Sequence, residues 1–301
     1  MAWSDEQVGR PRVMPPLDES TPEPVDHGPL AATRRLLRPG DVAVLATVPA
    51  LLLLVFGLPR ARREALALAY LDPTPLTAVT SHFVHLDVGH LGTNLAMYAL
   101  VATVAYLLCA LSGRRHEFFV AFAVFVLAFP AVLSALNVAL SRPALGYGFS
   151  GVNTAFFGFL PIALTWYLSS GLGAPVRARD APILFFASTT LVAVLAVPVS
   201  FASTAIAVVG VLAATVYLLE CLPRASAVRR RLTQVWRFRP GYVEVAVVGA
   251  GTLVIFPLAA FPPDPASGGQ VLNLYGHLLG YALGFIASYV TFGLVGLDPR
   301  R

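Results

Sequence analysis

The chain reads as an all-α, polytopic membrane bundle, and three observations predict that class. Of its 301 residues 57% are hydrophobic, only 12% are charged, and the apolar residues gather in eight runs of near-membrane length. A water-soluble fold of this size carries about 25% charged residues. The polar surface is therefore too small to cover a soluble globule, and a soluble enzyme is the first class excluded.

Residues 1–40 are Pro-rich and acidic at first, then basic at Arg34, Arg35 and Arg38, and read as a flexible tail. No apolar core follows Met1 within signal-peptide distance, so no cleaved leader is expected. The remainder, 41–301, is one membrane domain with runs at 42–58, 88–111, 117–139, 150–170, 181–199, 203–221, 242–261 and 271–294. Each approaches the ~20 residues an α-helix needs to cross ~30 Å of hydrocarbon, which predicts eight spans. The fifth and sixth runs are divided only by Pro198 and Ser200.

All 21 basic residues are arginine, and the net charge is +5. They cluster between apolar runs, which fits orientation in a bilayer and argues against a nucleic-acid partner. With the tail in the cytoplasm, alternation places Arg114/Arg115, Arg177/Arg179, the run Arg224 to Arg239 and Arg300/Arg301 inside. Both termini are then cytoplasmic, in a multi-pass protein of the cell membrane. Arg60, Arg62 and Arg63 fall outside, in a long 59–87 segment expected to lie along the interface with its arginines among headgroups. Cys109 and Cys221 lie inside apolar runs and read as buried hydrophobes.

Polar residues within spans mark function, because each is costly there. No Asp, Glu or Arg sits mid-span; the conspicuous residues are His90 and Asn94, Ser150, and Asn273 and His277. All open spans that run from outside to inside, so they share a depth in the outer half of the bilayer. Ser150 lies in Gly148-Phe149-Ser150-Gly151, where an irregular stretch enters an apolar helix. A serine in the first turn sits beside unpaired N–H groups and the positive helix end, suited to an oxyanion; an N-cap serine between packing glycines fits equally. Gly276, Gly280 and Gly284 make a bare face around His277, and Gly151, Ala155 and Gly158 make a matching one behind Ser150. Packed together, the two faces bring an imidazole base to a serine hydroxyl. An interhelical hydrogen bond or a proton-relay role is the alternative for His277.

His90 and Asn94, spaced i, i+4, share a helix face and offer two donors to an oxyanion, or a helix-bonding pair. His82, His85 and His90 invite a metal reading, but no Asp, Glu or Cys ligand stands at a familiar spacing, and H-E-x-x-H is absent. No cofactor or metal is expected.

Three blocks together carry a resemblance: Thr80-Ser81-His82-Phe83-Val84-His85 through His90-Leu91-Gly92-Thr93-Asn94; Gly148-Phe149-Ser150-Gly151; and His277-Leu278-Leu279-Gly280 with Gly284. In order and on successive correct spans, they resemble the H-x-x-x-N, G-x-S-G and H-x-x-G-x-x-x-G patterns of the rhomboid family of intramembrane serine proteases. The resemblance covers roughly 42–170 and 271–294. It implies a six-helix core with about two extra helices within 172–261, Ser150 as nucleophile and His277 as its general base. It also implies an oxyanion hole from the Ser150 N–H, His90 and Asn94, a bracing role for His85, and structural glycines at Gly148, Gly151, Gly280 and Gly284. The implied reaction is hydrolysis of peptide bonds in or beside transmembrane helices of single-span or polytopic substrates. An escort of such helices that does not cut them is the alternative. The chain departs from the family at Thr154, where an aromatic residue is usual, at Gly276, where alanine is common, and in lacking a Trp-Arg pair after the first span.

Overall fold

The computed structural model describes residues 37–140, 142–196, 201–262, 266–267 and 270–294. The tail through residue 36, the boundary at Pro198 and Ser200, and Arg300/Arg301 lie outside the described residues.

Helix α1 (Pro39–Phe56) starts with proline at its first position, where the missing N–H costs nothing. Asp41 in its first turn is buried, accepts the Tyr106 hydroxyl at 2.6 Å and is paired with Arg115. A short run follows: α2 (Arg60–Ala65), strand β1 (Leu68–Ala69), α3 (Pro75–Thr80) capped reciprocally by Thr74 and Thr77, and a 3₁₀ turn over Ser81–Phe83. Arg63 does not reach outward as expected. It donates through Nη1 to the His85 carbonyl and lies over the Phe56 ring, a carbonyl and an aromatic face that hold it against the bundle.

Helix α4 (Val88–Leu111) is capped by Asp87, whose carboxylate accepts the His90 N–H. Helix α5 (Arg115–Ala123) passes through a π-helical stretch, Val124–Ala128, into α6 (Phe129–Val138). The wider turn precedes Pro130, which has no amide proton to give the preceding turn. Strand β2 (Leu145–Gly146) pairs antiparallel with β1 and leads into α7 (Ser150–Trp166), which ends in a π turn over Tyr167–Gly171. Every residue of α7 from Gly151 to Trp166 is buried. This is the central helix. Phe118, Phe122 and Phe125 pack on Phe156 along one of its sides.

Helices α8 (Ala181–Ala196), α9 (Phe201–Phe238) and α10 (Tyr242–Ala260) follow, then a β3 (Ala266–Ser267) to β4 (Gln270–Val271) hairpin and α11 (Leu274–Ser288), extended by a π turn over Tyr289–Leu294.

The chain is thus an all-α bundle, but six rather than eight of its described helices are long and apolar enough to cross a membrane: α1, α4, α5 with α6, α7 with its π turn, α9 and α10. The described part of α8 has 16 residues, about 24 Å, and the α-helical part of α11 has 15. The run at 203–221 does not stop at its arginines. It continues as one helix to Phe238, since Ala, Arg, Leu and Gln all favour helix. Arg224 and Arg231 secure the continuation by bonding Asp180 and the Leu172 carbonyl.

Helices α7 and α11 meet through their small faces. A Cβ on Gly280 would collide with the Gly151 carbonyl oxygen and Thr154 Oγ1, and one on Gly284 with the Ala155 backbone. A Cβ on Gly158 would strike the Tyr281 carbonyl oxygen and come within 2.8 Å of the Phe285 nitrogen. Only residues without side chains let two backbones approach this closely.

Candidate active site

One cavity of about 1120 Å³ opens at the end of the bundle where α7 begins, and Ser150, His277, His90, Gly148, Gly151 and Gly276 all line it. The approach to Ser150 is built by the 59–87 segment. The β1–β2 ladder pairs Leu68 with Gly146, the Gly148 N–H donates to the Ser81 carbonyl at 3.0 Å, and the Phe149 N–H points to His85 Nε2 at 3.5 Å. Gly148 has φ +107°, a conformation that penalises a side chain, and a Cβ there would lie 2.6 Å from Cε1 of His90. Glycine thus makes the turn and lets the His90 ring lie against the backbone just ahead of the serine.

Ser150 is half-buried and is the first residue of α7. Its N–H is one of those that an α-helix leaves without an internal acceptor, and it lies at the positive end of the helix dipole.

His277 is buried in the first turn of α11. Its Nδ1 lies 2.6 Å from the carbonyl oxygen of Ala260, the last residue of α10. A carbonyl can only accept, so Nδ1 carries the proton and Nε2 holds a free lone pair. Nε2 is buried without a hydrogen-bond partner among the described residues. Phe261 meets the imidazole edge-on, with centroids 5.9 Å apart. The aromatic partner of the histidine comes from the end of α10, while Thr154 turns to the Gly151 carbonyl at 2.8 Å.

His90 lines the cavity, and Asn94 does not. Asn94 is buried one turn deeper, its amide donating to the His90 carbonyl at 3.0 Å. Asn153, on α7, donates to the Asn94 backbone carbonyl at 3.0 Å and to its Oδ1 at 3.3 Å. His85 is fully buried, edge-on to His90 with centroids 4.9 Å apart. Burial, then the neighbouring His90, pushes the His85 imidazole down to about 3, so it is neutral and able to accept the Phe149 N–H. His82 lines the same cavity, with its Nε2 3.0 Å from Ser134 Oγ. Among the described residues no three His, Cys, Asp or Glu side chains are grouped to hold a metal.

Sequence reasoning passed over Asn153, Asn137 and Tyr70. Asn273 caps α11 through the Gly276 N–H and donates to Asn137 Oδ1 at 2.7 Å and to the Tyr70 hydroxyl at 3.2 Å. This joins α6, α11 and the 59–87 segment at the cavity wall. The available signal was a polar amide within an apolar run at 137 and at 153.

No family model, curated protein or solved structure matches this chain.

Proposed function

We propose that the chain is an intramembrane serine endopeptidase of the rhomboid type, with Ser150 as nucleophile and His277 as general base. One observation carries the reading. His277, whose Nε2 has no partner among the described residues, lines the same cavity as Ser150, and its other nitrogen is tied to a carbonyl. His82, His85 and His90 each leave a buried ring nitrogen unpartnered as well; what distinguishes His277 is that the Ala260 carbonyl fixes its proton on Nδ1 and leaves the Nε2 lone pair free beside the Ser150 cavity.

In this mechanism His277 Nε2 takes the Ser150 hydroxyl proton as Oγ attacks the scissile carbonyl. The Ala260 carbonyl holds the ring in the required tautomer and favours the imidazolium that forms. The Ser150 N–H and the His90 ring face the developing oxyanion. The imidazolium then protonates the leaving amine, and water admitted through the cavity hydrolyses the acyl-enzyme by the same steps. The substrates are transmembrane helices of other membrane proteins, locally unwound, because a helical peptide bond is closed to attack. The cavity opens on the outer side, and the arginine-rich end of the bundle lies in the cytoplasm with both termini.

A second reading, a helix escort without proteolysis, is favoured by Asn94, whose amide turns to its own helix rather than to the cavity. A fluorophosphonate probe separates the two. Wild type is expected to label, and Ser150→Ala and His277→Ala are not. A folded wild type that stays unlabelled, and leaves a generic transmembrane reporter intact, sinks the peptidase reading in favour of the escort.

A further inference from the structure

Helix α9 changes character along its length. Its 38 residues extend about 57 Å, close to twice the ~30 Å of hydrocarbon. From residue 203 to 222 it carries one charged side chain, Glu220; from 223 to 238, with the adjoining Arg239, it carries Arg224, Arg229, Arg230, Arg231, Arg237 and Arg239 and no acid. This basic half meets the bundle at the end opposite the cavity. Arg231 bonds the Leu172 carbonyl just past α7, and Arg224 forms two hydrogen bonds to Asp180 ahead of α8. Val235 is buried on the same side.

The other face is different. Arg229, Arg230 and Arg237 are exposed, and no acidic partner among the described residues meets them. Trp236 and Phe238 beside them are 56% and 55% exposed. Arg229 with Trp236, and Arg230 with Arg237, stand seven residues apart, so they form two adjacent stripes of one helix face. Uncompensated arginines interleaved with exposed aromatic rings, continuous with a lipid-length apolar helix, match the chemistry of an anionic leaflet surface.

We propose that this face is a binding surface for anionic phospholipid headgroups, with Arg229, Arg230 and Arg237 contacting phosphate and Trp236 seated at the headgroup boundary. The proposal rests on the membrane character of the helices and holds whatever chemistry the cavity performs.

The test uses full-length wild type and the triple variant Arg229→Gln/Arg230→Gln/Arg237→Gln in nanodiscs of phosphatidylcholine, alone or mixed equally with phosphatidylglycerol. Retained lipids are counted by native mass spectrometry. Wild type is expected to retain phosphatidylglycerol preferentially, by about fivefold per arginine, on the order of a hundredfold for three at low salt. The triple variant is expected to lose that preference and to melt like wild type in phosphatidylcholine alone, since these side chains hold nothing internal. If it melts lower, brominated lipids decide. Trp236 fluorescence, taken as the difference from Trp236→Phe, is expected to be quenched more by brominated phosphatidylglycerol than by the brominated choline lipid. Equal quenching, or equal retention of both lipids by wild type, overturns the proposal. So does equal arginine-dependent binding of heparin in phosphatidylcholine discs, which would assign the surface to soluble polyanions.

Discussion

Replacing Gly280 with alanine tests the helix contact on which the site depends. The new Cβ would meet the Gly151 carbonyl oxygen, with the Gly151 carbonyl carbon only 3.0 Å away, and backbone cannot swing aside as a side chain can. Restoring ordinary contact requires α11 to move from α7 by roughly an ångström, an overpacking that costs about 1–3 kcal/mol. The same displacement acts on chemistry, because a misplacement of about 1 Å between reacting groups costs on the order of a hundredfold in rate. His277 is three residues before Gly280 and Ser150 is next to Gly151, so the shift is delivered to the dyad directly. The assay is the rate of fluorophosphonate labelling beside thermal unfolding in the same lipid. Gly251→Ala on α10 serves as control: nothing lies within 4 Å of its new Cβ, and it is expected to label at the wild-type rate with stability unchanged or slightly raised. A Gly280→Ala protein that melts and labels like wild type would refute the close α7–α11 packing.

Two further outcomes follow from polar groups the bundle brings together. Asn153→Ala removes the bonds from α7 to Asn94 and is expected to cost about 1 kcal/mol by thermal unfolding, with slower labelling as His90 and Asn94 loosen. An unchanged melting temperature would mean the amide pair contributes nothing. At Asp180, burial works against ionisation, but the Arg224 hydrogen bond and the Arg177 N–H outweigh it and hold the carboxyl below its ordinary 3.8. A depressed folded-state value means the stabilisation is fully present above 3.8 and lost as pH falls through the lower native value. The melting gap between wild type and Asp180→Asn is therefore expected to be constant near neutrality and to shrink below pH 3.8; a gap independent of pH would refute it.

Much of the architecture was legible because it is written locally. A run such as 88–111 or 242–261 declares its own helix, since apolar side chains and internal backbone pairing are the only economical response to hydrocarbon. The glycine spacing at 276, 280 and 284 likewise announced a close helix contact. Helix length was less legible: the apolar run stops at 221, while the helix-favouring residues beyond Pro223 and the Arg224 and Arg231 bonds to Asp180 and the Leu172 carbonyl carry α9 through to Phe238.

Other features have no local signature at all. Asp41 reads as an ordinary first-turn acid, yet it is buried against Tyr106 and Arg115, the latter 74 residues away. The carbonyl that orients His277 is a backbone atom at Ala260, which any residue type would supply equally. Asn94 and His90, one turn apart on the same helix, are separated by the cavity boundary, because Asn153 draws the deeper amide into the α4–α7 contact. The sequence alone determined that the chain forms apolar helices and which of them carry serine, histidine and glycine. The tertiary structure decided which backbone atoms and amides face those residues, because that depends on how helices distant in the chain cross, and no local run of residues encodes a crossing.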